Sequence, residues 1–302
     1  MYHKGERKIQ ELTEEVNIAD ANGRVITDSI VPGAIKFIEN QSMTIVSSVD
    51  DEQNVWISIL SGPYGFINVE AHNKLSINLK QVTSSKLDIF YNNILTSNQI
   101  GTLFIELATR RRFRINGKIT IDDDVVSLNV LEAYPNCPKY IQQRKIIKNN
   151  TVKGQSEQIS GETLSDELKE WIKSSDTLFV GSQSSNQLMD ASHRGGNPGF
   201  VKITDTGAIK IPDYSGNSLY NTLGNFVQNE RAGLLFVDFK ENKTLQLTGE
   251  ASILFNQNSE EDLKHTGGTG RYWTFETLRW TVTQNQNNTN WEFNGYSPFN
   301  PK

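Results

Sequence analysis

Gly65-Phe66-Ile67-Asn68-Val69 returns later in the chain as Gly199-Phe200-Val201-Lys202-Ile203, and Leu75-Ser76-Ile77 returns as Ile209-Lys210-Ile211, both at an offset of 134 residues. Further on, Ile100-Gly101-Thr102-Leu103-Phe104-Ile105-Glu106-Leu107 matches Ala232-Gly233-Leu234-Leu235-Phe236-Val237-Asp238-Phe239. Phe113-Arg114-Ile115-Asn116-Gly117 then matches Leu245-Gln246-Leu247-Thr248-Gly249 at an offset of 132. Chance can produce one such match. Several in the same order, each strand followed by the same turn glycine, point to duplication of a whole domain, with a period far too long for a solenoid.

Within each copy the segments Val55 to Leu60, Phe66 to Val69, Leu75 to Leu79, Leu103 to Leu107 and Arg112 to Thr120 are short and rich in β-branched or aromatic residues, with Gly, Asn and Asp between them. They read as strands, and so many within about a hundred residues suggest a closed or nearly closed antiparallel barrel, which removes exposed sheet edges. One short helix is expected in each copy, around Phe90, Ile94 and Leu95 in the first and Leu219, Leu223, Phe226 and Val227 in the second. The fold class is therefore mainly β with short helices: two tandem barrels, packed as an intrachain pseudo-dimer. The first copy takes residues 1–144, with an N-terminal helical segment, and the second takes 163–302. Residues 145–162, polar and rich in Asn, Gln, Lys and Ser, are the expected linker. They lead into an amphipathic helix marked by Leu164, Leu168, Trp171 and Ile172 behind a Ser or Thr cap. Trp273, Trp280, Trp291 and Tyr296 make an aromatic C-terminal extension that the repeat does not cover, expected to pack over a barrel face.

Composition narrows the function. The chain of 302 residues has a net charge of −5, which argues against coating a polyanion but allows a local basic pocket for a small anion. No nucleic-acid partner is expected. Cys137 is the only cysteine, which rules out an internal disulfide and a cysteine-rich zinc cage, and His3, His72 and His265 have no ligand spacing. With no bilayer-length apolar run and no secretion-like start, a cytoplasmic protein without a membrane partner is the expectation.

The densest polar cluster is Ser192-His193-Arg194-Gly195-Gly196-Asn197-Pro198-Gly199-Phe200, with Pro212-Asp213-Tyr214-Ser215-Gly216-Asn217 and Asn221-Thr222-Leu223-Gly224-Asn225. Glycines admit close backbone approach, Arg194 can fork onto phosphate or carboxylate, and Ser215, Thr222 and the asparagines supply donors and acceptors. Gly, Asn and Pro also make plain turns; the added His and Arg tip the reading towards a ligand site. The first copy has Ile59 and Leu60 where the second has His193 and Arg194, whereas Arg112 and Arg114 of the first stand where the second has Thr244 and Gln246. Two copies related by a pseudo-twofold axis would build one junction site from Arg112 and Arg114 on one side and His193 and Arg194 on the other, with the mate site lost. Alternation puts Arg112 and Arg114 on one face of their strand; a solvated arginine face is the competing reading. Asn136-Cys137-Pro138-Lys139-Tyr140 adds a lysine for phosphate and a tyrosine for ring stacking. Cys137 has no histidine nearby in sequence to activate it, no Gly-x-Ser-x-Gly elbow exists, and Gly267-Gly268-Thr269-Gly270-Arg271 lacks the ending of a phosphate loop.

These runs, with Ala232 to Phe239 and the opening Tyr2-His3-Lys4-Gly5-Glu6, resemble the predicted flavin-nucleotide-binding branch of the pyridoxamine 5'-phosphate oxidase-like proteins over nearly the whole chain. The resemblance implies two split β-barrels and FMN held at a dimer-like junction, with FAD or haem as alternative cofactors. It does not extend to the C-terminal substrate pattern of the true oxidases. On it, Arg194, Lys139 and Ser215 are assigned to phosphate, with Asn197, Asn217, Asn221 and Asn225 competing for the ring edge and ribityl chain. Thr222 and Tyr140 complete the pocket, and His193 is the expected proton donor. The implied activity is a flavin-dependent oxidoreductase acting on a small molecule or electron donor. Rival readings are a carrier or sensor without turnover and a structural homodimer with a decayed pocket; a fused pseudo-dimer can also pair again.

Overall fold

The computed structural model describes residues 2–151, 156–285 and 287–302. Three N-terminal helices, α1 (Lys4–Leu12), α2 (Val16–Asn22) and α3 (Pro32–Glu39), precede β1 (Met43–Val49), β2 (Val55–Ser61), β3 (Ile67–Ala71) and β4 (Lys74–Asn78). Helix α4 (Phe90–Thr96) leads to β5 (Gln99–Glu106), β6 (Arg111–Asp122) and β7 (Val125–Pro135). After β8 (Gln143–Thr151) and β9 (Glu157–Gly161), the second copy runs α5 (Asp166–Ser174), β10 (Thr177–Gln183), β11 (Met189–Gly195), β12 (Lys202–Ile203) and β13 (Ile209–Pro212). It continues with α6 (Asn221–Gln228), β14 (Arg231–Asp238), β15 (Lys243–Leu254), α7 (Glu260–His265) and β16 (Tyr272–Gln284), and the described chain closes with β17 (Asn287–Gly295).

The duplication is visible in the sheets. One has the antiparallel order β2-β1-β5-β6-β7-β4-β3 and the other β11-β10-β14-β15-β16-β13-β12, the same path twice. Each curls enough to bring its strands round one core. Val46, Leu60, Ile67, Ile77, Phe104, Ile115 and Leu128, from all seven strands of the first sheet, share one buried cluster. Val180, Ile211, Phe236, Leu247 and Trp273, from five strands of the second sheet, share another. No β2–β3 or β11–β12 ladder closes either path among the described residues, so each is a split barrel. Gly65 and Gly199 hold matching left-handed backbone, φ +88° and +89°, at the turn before β3 and β12, where a side chain would be strained.

Three expectations need correction. Gly117 and Gly249 do not end strands: both lie inside them, at register shifts in β6–β7 and β15–β16, where a Cβ would come within 2.0 Å and 1.9 Å of a neighbouring carbonyl oxygen. They are bulge glycines, required by close backbone approach. The repeat also covers more of the C-terminal region than expected, because β16, carrying Trp273 and Trp280, occupies the place of β7. Finally, the polar segment 145–162 contains β strands. β8 pairs with β17 in a two-stranded ribbon and β9 pairs with the edge of β16, since strand pairing engages the backbone whatever the side-chain polarity. The helix expected after it is α5, with Ser165 Oγ accepting from the Leu168 amide at 3.3 Å.

The outer faces of β1, β2 and β5 pack on those of β10, β11 and β14, burying Met43, Ile45, Ile57, Leu103, Phe179, Ala191 and Leu235 in a third cluster. Contacts occur in exchanged pairs: β5 with β11 and β2 with β14, β1 with β11 and β2 with β10. That reciprocity is the mark of a twofold interface, here within one chain. It creates two equivalent junctions, one between β6 and β11 and the other between β15 and β2.

Candidate functional site

The β6–β11 junction holds a cleft of about 110 Å³. Alternation along β6 sends Phe113 and Ile115 into the first barrel core and Arg112 and Arg114 outwards to the second half. Arg112, Arg114, Lys139, Tyr140, His193, Arg194, Asn217, Asn221 and Thr222 all line the cleft, so residues from the two copies do converge. Three expected residues do not line it. Asn197 bonds Asn300 at 2.9 Å on the surface, Ser215 lends only its carbonyl to the Tyr140 hydroxyl (2.9 Å), and Asn225 is buried, turned back to Ser182 Oγ (2.9 Å). His193 and Arg194 are on strand β11.

The floor of the cleft is a buried polar network. Arg114 forms an ion pair with Asp190 at 2.9 Å and donates to the Ala191 carbonyl (3.1 Å), the Tyr134 hydroxyl (2.7 Å), Asn221 Oδ1 (3.1 Å) and Ser192 Oγ. Burial works against its charge, but Asp190, Tyr134 and Glu132 outweigh that and raise its pKa. Thr222 Oγ1 lies 3.0 Å from Ser192 Oγ and 3.3 Å from Asp190 Oδ2, where its one proton is shared, so its hydroxyl is spent on the floor.

Above the floor the charge balance changes. Arg112 donates to the Cys137 carbonyl at 2.7 Å and faces His193 Nδ1 at 3.3 Å; Arg194 donates only to the His193 carbonyl at 3.1 Å, and its buried Nε has no partner. Among the described residues neither guanidinium has a carboxylate within ion-pairing distance. Burial, with Arg194 and Arg114 close by, pulls Arg112 down to about 9, and burial lowers Arg194 as well, against the nearby charges of Asp213 and Asp190. Two partly buried guanidiniums that resist their own charge form a site that an anion would relieve. His193 is held well below its ordinary pKa by burial and by Arg112, Arg194 and Arg144, so it is a neutral imidazole. With Arg112 donating to Nδ1, its proton is on Nε2, which is buried without a partner. His193, the expected proton donor, is thus a poor source of an imidazolium proton near neutral pH.

At the mouth Tyr140 and Tyr214 place their rings 4.9 Å apart at 42°. The loop before α6 carries left-handed backbone at Ser218 (φ +61°) and Tyr220 (φ +59°), uncommon for non-glycine residues and tolerated here beside the cleft. Sequence reading missed Asp190 and Tyr134 as parts of this network. The one available signal was alternation along β11, which puts Asp190, Ser192 and Arg194 on one face. No group of three or more acidic, cysteine or histidine residues suited to a metal ion occurs among the described residues.

No protein-family model matches the sequence, and no curated protein matches it. Solved structures similar to the chain include proteins named for the family that the sequence resembles. HupZ of Group A Streptococcus is 14% identical over 42% of this chain and 98% of its own, with a TM-score of 0.33. A putative pyridoxamine 5'-phosphate oxidase of Lactobacillus delbrueckii is 15% identical over 36% of this chain and 95% of its own, with a TM-score of 0.29. HutZ of Vibrio cholerae, described as a haem storage protein, is 12% identical over 44% and 96%, with a TM-score of 0.26. No helix among the described residues is long and apolar enough to cross a membrane.

Proposed function

We propose that the β6–β11 cleft binds a phosphorylated flavin of the FMN class and that the chain is a flavin-dependent oxidoreductase of the cytoplasm, a setting with which a single cysteine agrees. One observation carries the reading: Arg112 and Arg194 converge on the cleft from opposite copies, partly buried and without carboxylate partners. A phosphate fits that pair, with Lys139 beside it, and the Tyr140 and Tyr214 rings offer a planar compound an aromatic wall. A bound flavin would supply the hydride or electron transfer, while the chain supplies charge neutralisation and orientation. Haem fits less well, because the His193 Nε2 that would meet an iron is buried.

Titration with FMN, followed by flavin absorbance and fluorescence, tests the reading. The wild-type chain is expected to bind, and Arg194→Ala to bind at least about tenfold more weakly. No binding by the wild type ends the flavin reading; equal binding by the variant removes Arg194 from it. Reduction of the bound flavin by NADPH without air, then reoxidation, separates an oxidoreductase from a carrier.

A further inference from the structure

The Tyr2-His3-Lys4-Gly5-Glu6 segment lies before the repeat and has had no role so far. Its helix α1 crosses to the second barrel, where Ile9 joins the core and Gln10 Nε2 donates to the Leu219 carbonyl at 3.3 Å. The crossing is close enough to exclude side chains: a Cβ on Gly5 would lie 2.0 Å from the Gly224 carbonyl oxygen, and one on Gly224 would lie 2.6 Å from the Glu6 amide nitrogen. The backbones of α1 and α6 therefore touch, and Glu6 is delivered beside Asn221.

Both carboxylate oxygens of this buried residue are engaged. Oε2 accepts from the His3 amide at 2.9 Å, one half of a capping box whose other half is His3 Nδ1 accepting from the Gly5 and Glu6 amides. Oε1 accepts from Asn221 Nδ2 at 2.6 Å. With its amino group held there, Asn221 turns its oxygen to Arg114, which donates to it at 3.1 Å. The opposite amide orientation would set an NH2 against a guanidinium, donor to donor. Burial, with Glu132 and Asp190 close by, pushes its pKa up to about 8, while the hydrogen bonds from His3 and Asn221 favour the charged form in which both oxygens accept.

We infer that Glu6 is a positioning residue for the cleft: by accepting from Asn221 it fixes that amide with its oxygen towards Arg114, and so holds the guanidinium where a bound ligand meets it. The inference rests on the proposed ligand site, and the test separates the two. Glu6→Gln leaves one acceptor for two donors, so either the helix cap or the Asn221 contact is lost. FMN affinity is expected to fall about tenfold. In Glu6→Gln/Asn221→Asp the new glutamine can donate to the new aspartate while still accepting from the His3 amide, and the aspartate still accepts from Arg114. The contact that holds Arg114 is thereby restored, although the cleft gains a carboxylate, so the rescue is read on Arg114 itself.

The guanidinium resonances of Arg114, followed with isotope-labelled arginine, give a readout without ligand: sharp in the wild type, averaged in Glu6→Gln, sharp again in the double variant. A residue that only caps α1 would lower the melting temperature of both variants, leave Arg114 unchanged and show no rescue, and that result overturns the inference. If the wild-type chain takes no FMN the ligand reading fails, and the Arg114 resonances still decide the positioning role.

Discussion

At the β6–β11 junction Arg114 reaches across to the carbonyl of Ala191 at 3.1 Å and to Ser192 Oγ; at the β15–β2 junction Gln246 reaches to the carbonyl of Ile57 at 3.0 Å and to Ser58 Oγ at 3.1 Å. These are the same positions in the two copies, and the helices behind them match too: Asn225 holds Ser182 at 2.9 Å as Asn93 holds Ser48 at 2.9 Å. The frame is common and the charge is not. Arg112, His193 and Arg194 are replaced by Thr244, Ile59 and Leu60, Asp190 by Trp56, and the cleft floor by Asp88 accepting from Ser58 at 2.6 Å. Duplicated strands supply a cross-barrel hydrogen bond twice over; what turns one copy into a candidate site is the pair of guanidiniums above it, which form no ion pair among the described residues. Helix α1, with no counterpart among the described residues of the second copy, is added at the charged junction.

The strongest way to break this comparison is to make the charged junction like its mate. Arg114→Gln leaves Asp190 buried without its cation, and loss of one partner of a buried pair costs about 3–5 kcal/mol. Gln246→Ala, which removes a neutral donor at the other junction, should cost only about 1–3 kcal/mol. Urea unfolding measures both, and equal losses would mean that the Arg114–Asp190 pair carries no special weight.

Binding sharpens the comparison next. If charge alone distinguishes the junctions, the chain takes one FMN rather than two, and Arg112→Thr, the residue found at the mate position, weakens it roughly ten- to hundredfold. Equilibrium titration gives both numbers. Two equivalents per chain would show that the neutral junction is also a site.

The duplication could be read from sequence because core positions repeat locally: a strand with its glycine carries its own signature wherever it stands. The convergence of Arg112 and Arg114 with His193 and Arg194 was legible by a different route, since charges absent from matching positions only make sense together if the copies face each other. Glu6 and Asp190 had no such signature. Glu6 meets Asn221 across 215 positions of chain, and Asp190 meets Arg114 only after two barrels have packed. The role of Asn225 was misread for the opposite reason: its partner lies within its own copy, and its match with Asn93, Ser48 and Ser182 marks it as part of the frame. A residue shared by both junctions builds the scaffold, and a residue present at one is the better candidate for function.

The neutral junction has a titratable group of its own, and it gives the smallest expected effect. Asp88 is buried, and burial raises its pKa even though it accepts from Ser58 Oγ at 2.6 Å and from the Phe90 amide at 2.9 Å. A carboxyl group whose pKa is higher folded than unfolded binds its proton more tightly in the native state. Its contribution is therefore fully present below the ordinary aspartate range and is lost as pH rises through the raised folded value. Asp88→Asn keeps an acceptor for the same two donors and has no proton to lose. Its stability relative to wild type should rise with pH across that window, while groups common to both proteins, Glu6 among them, cancel. Urea unfolding of the two proteins at a series of pH values checks this, and curves that stay parallel would mean that Asp88 is charged in the folded chain and that the neutral junction is not neutral.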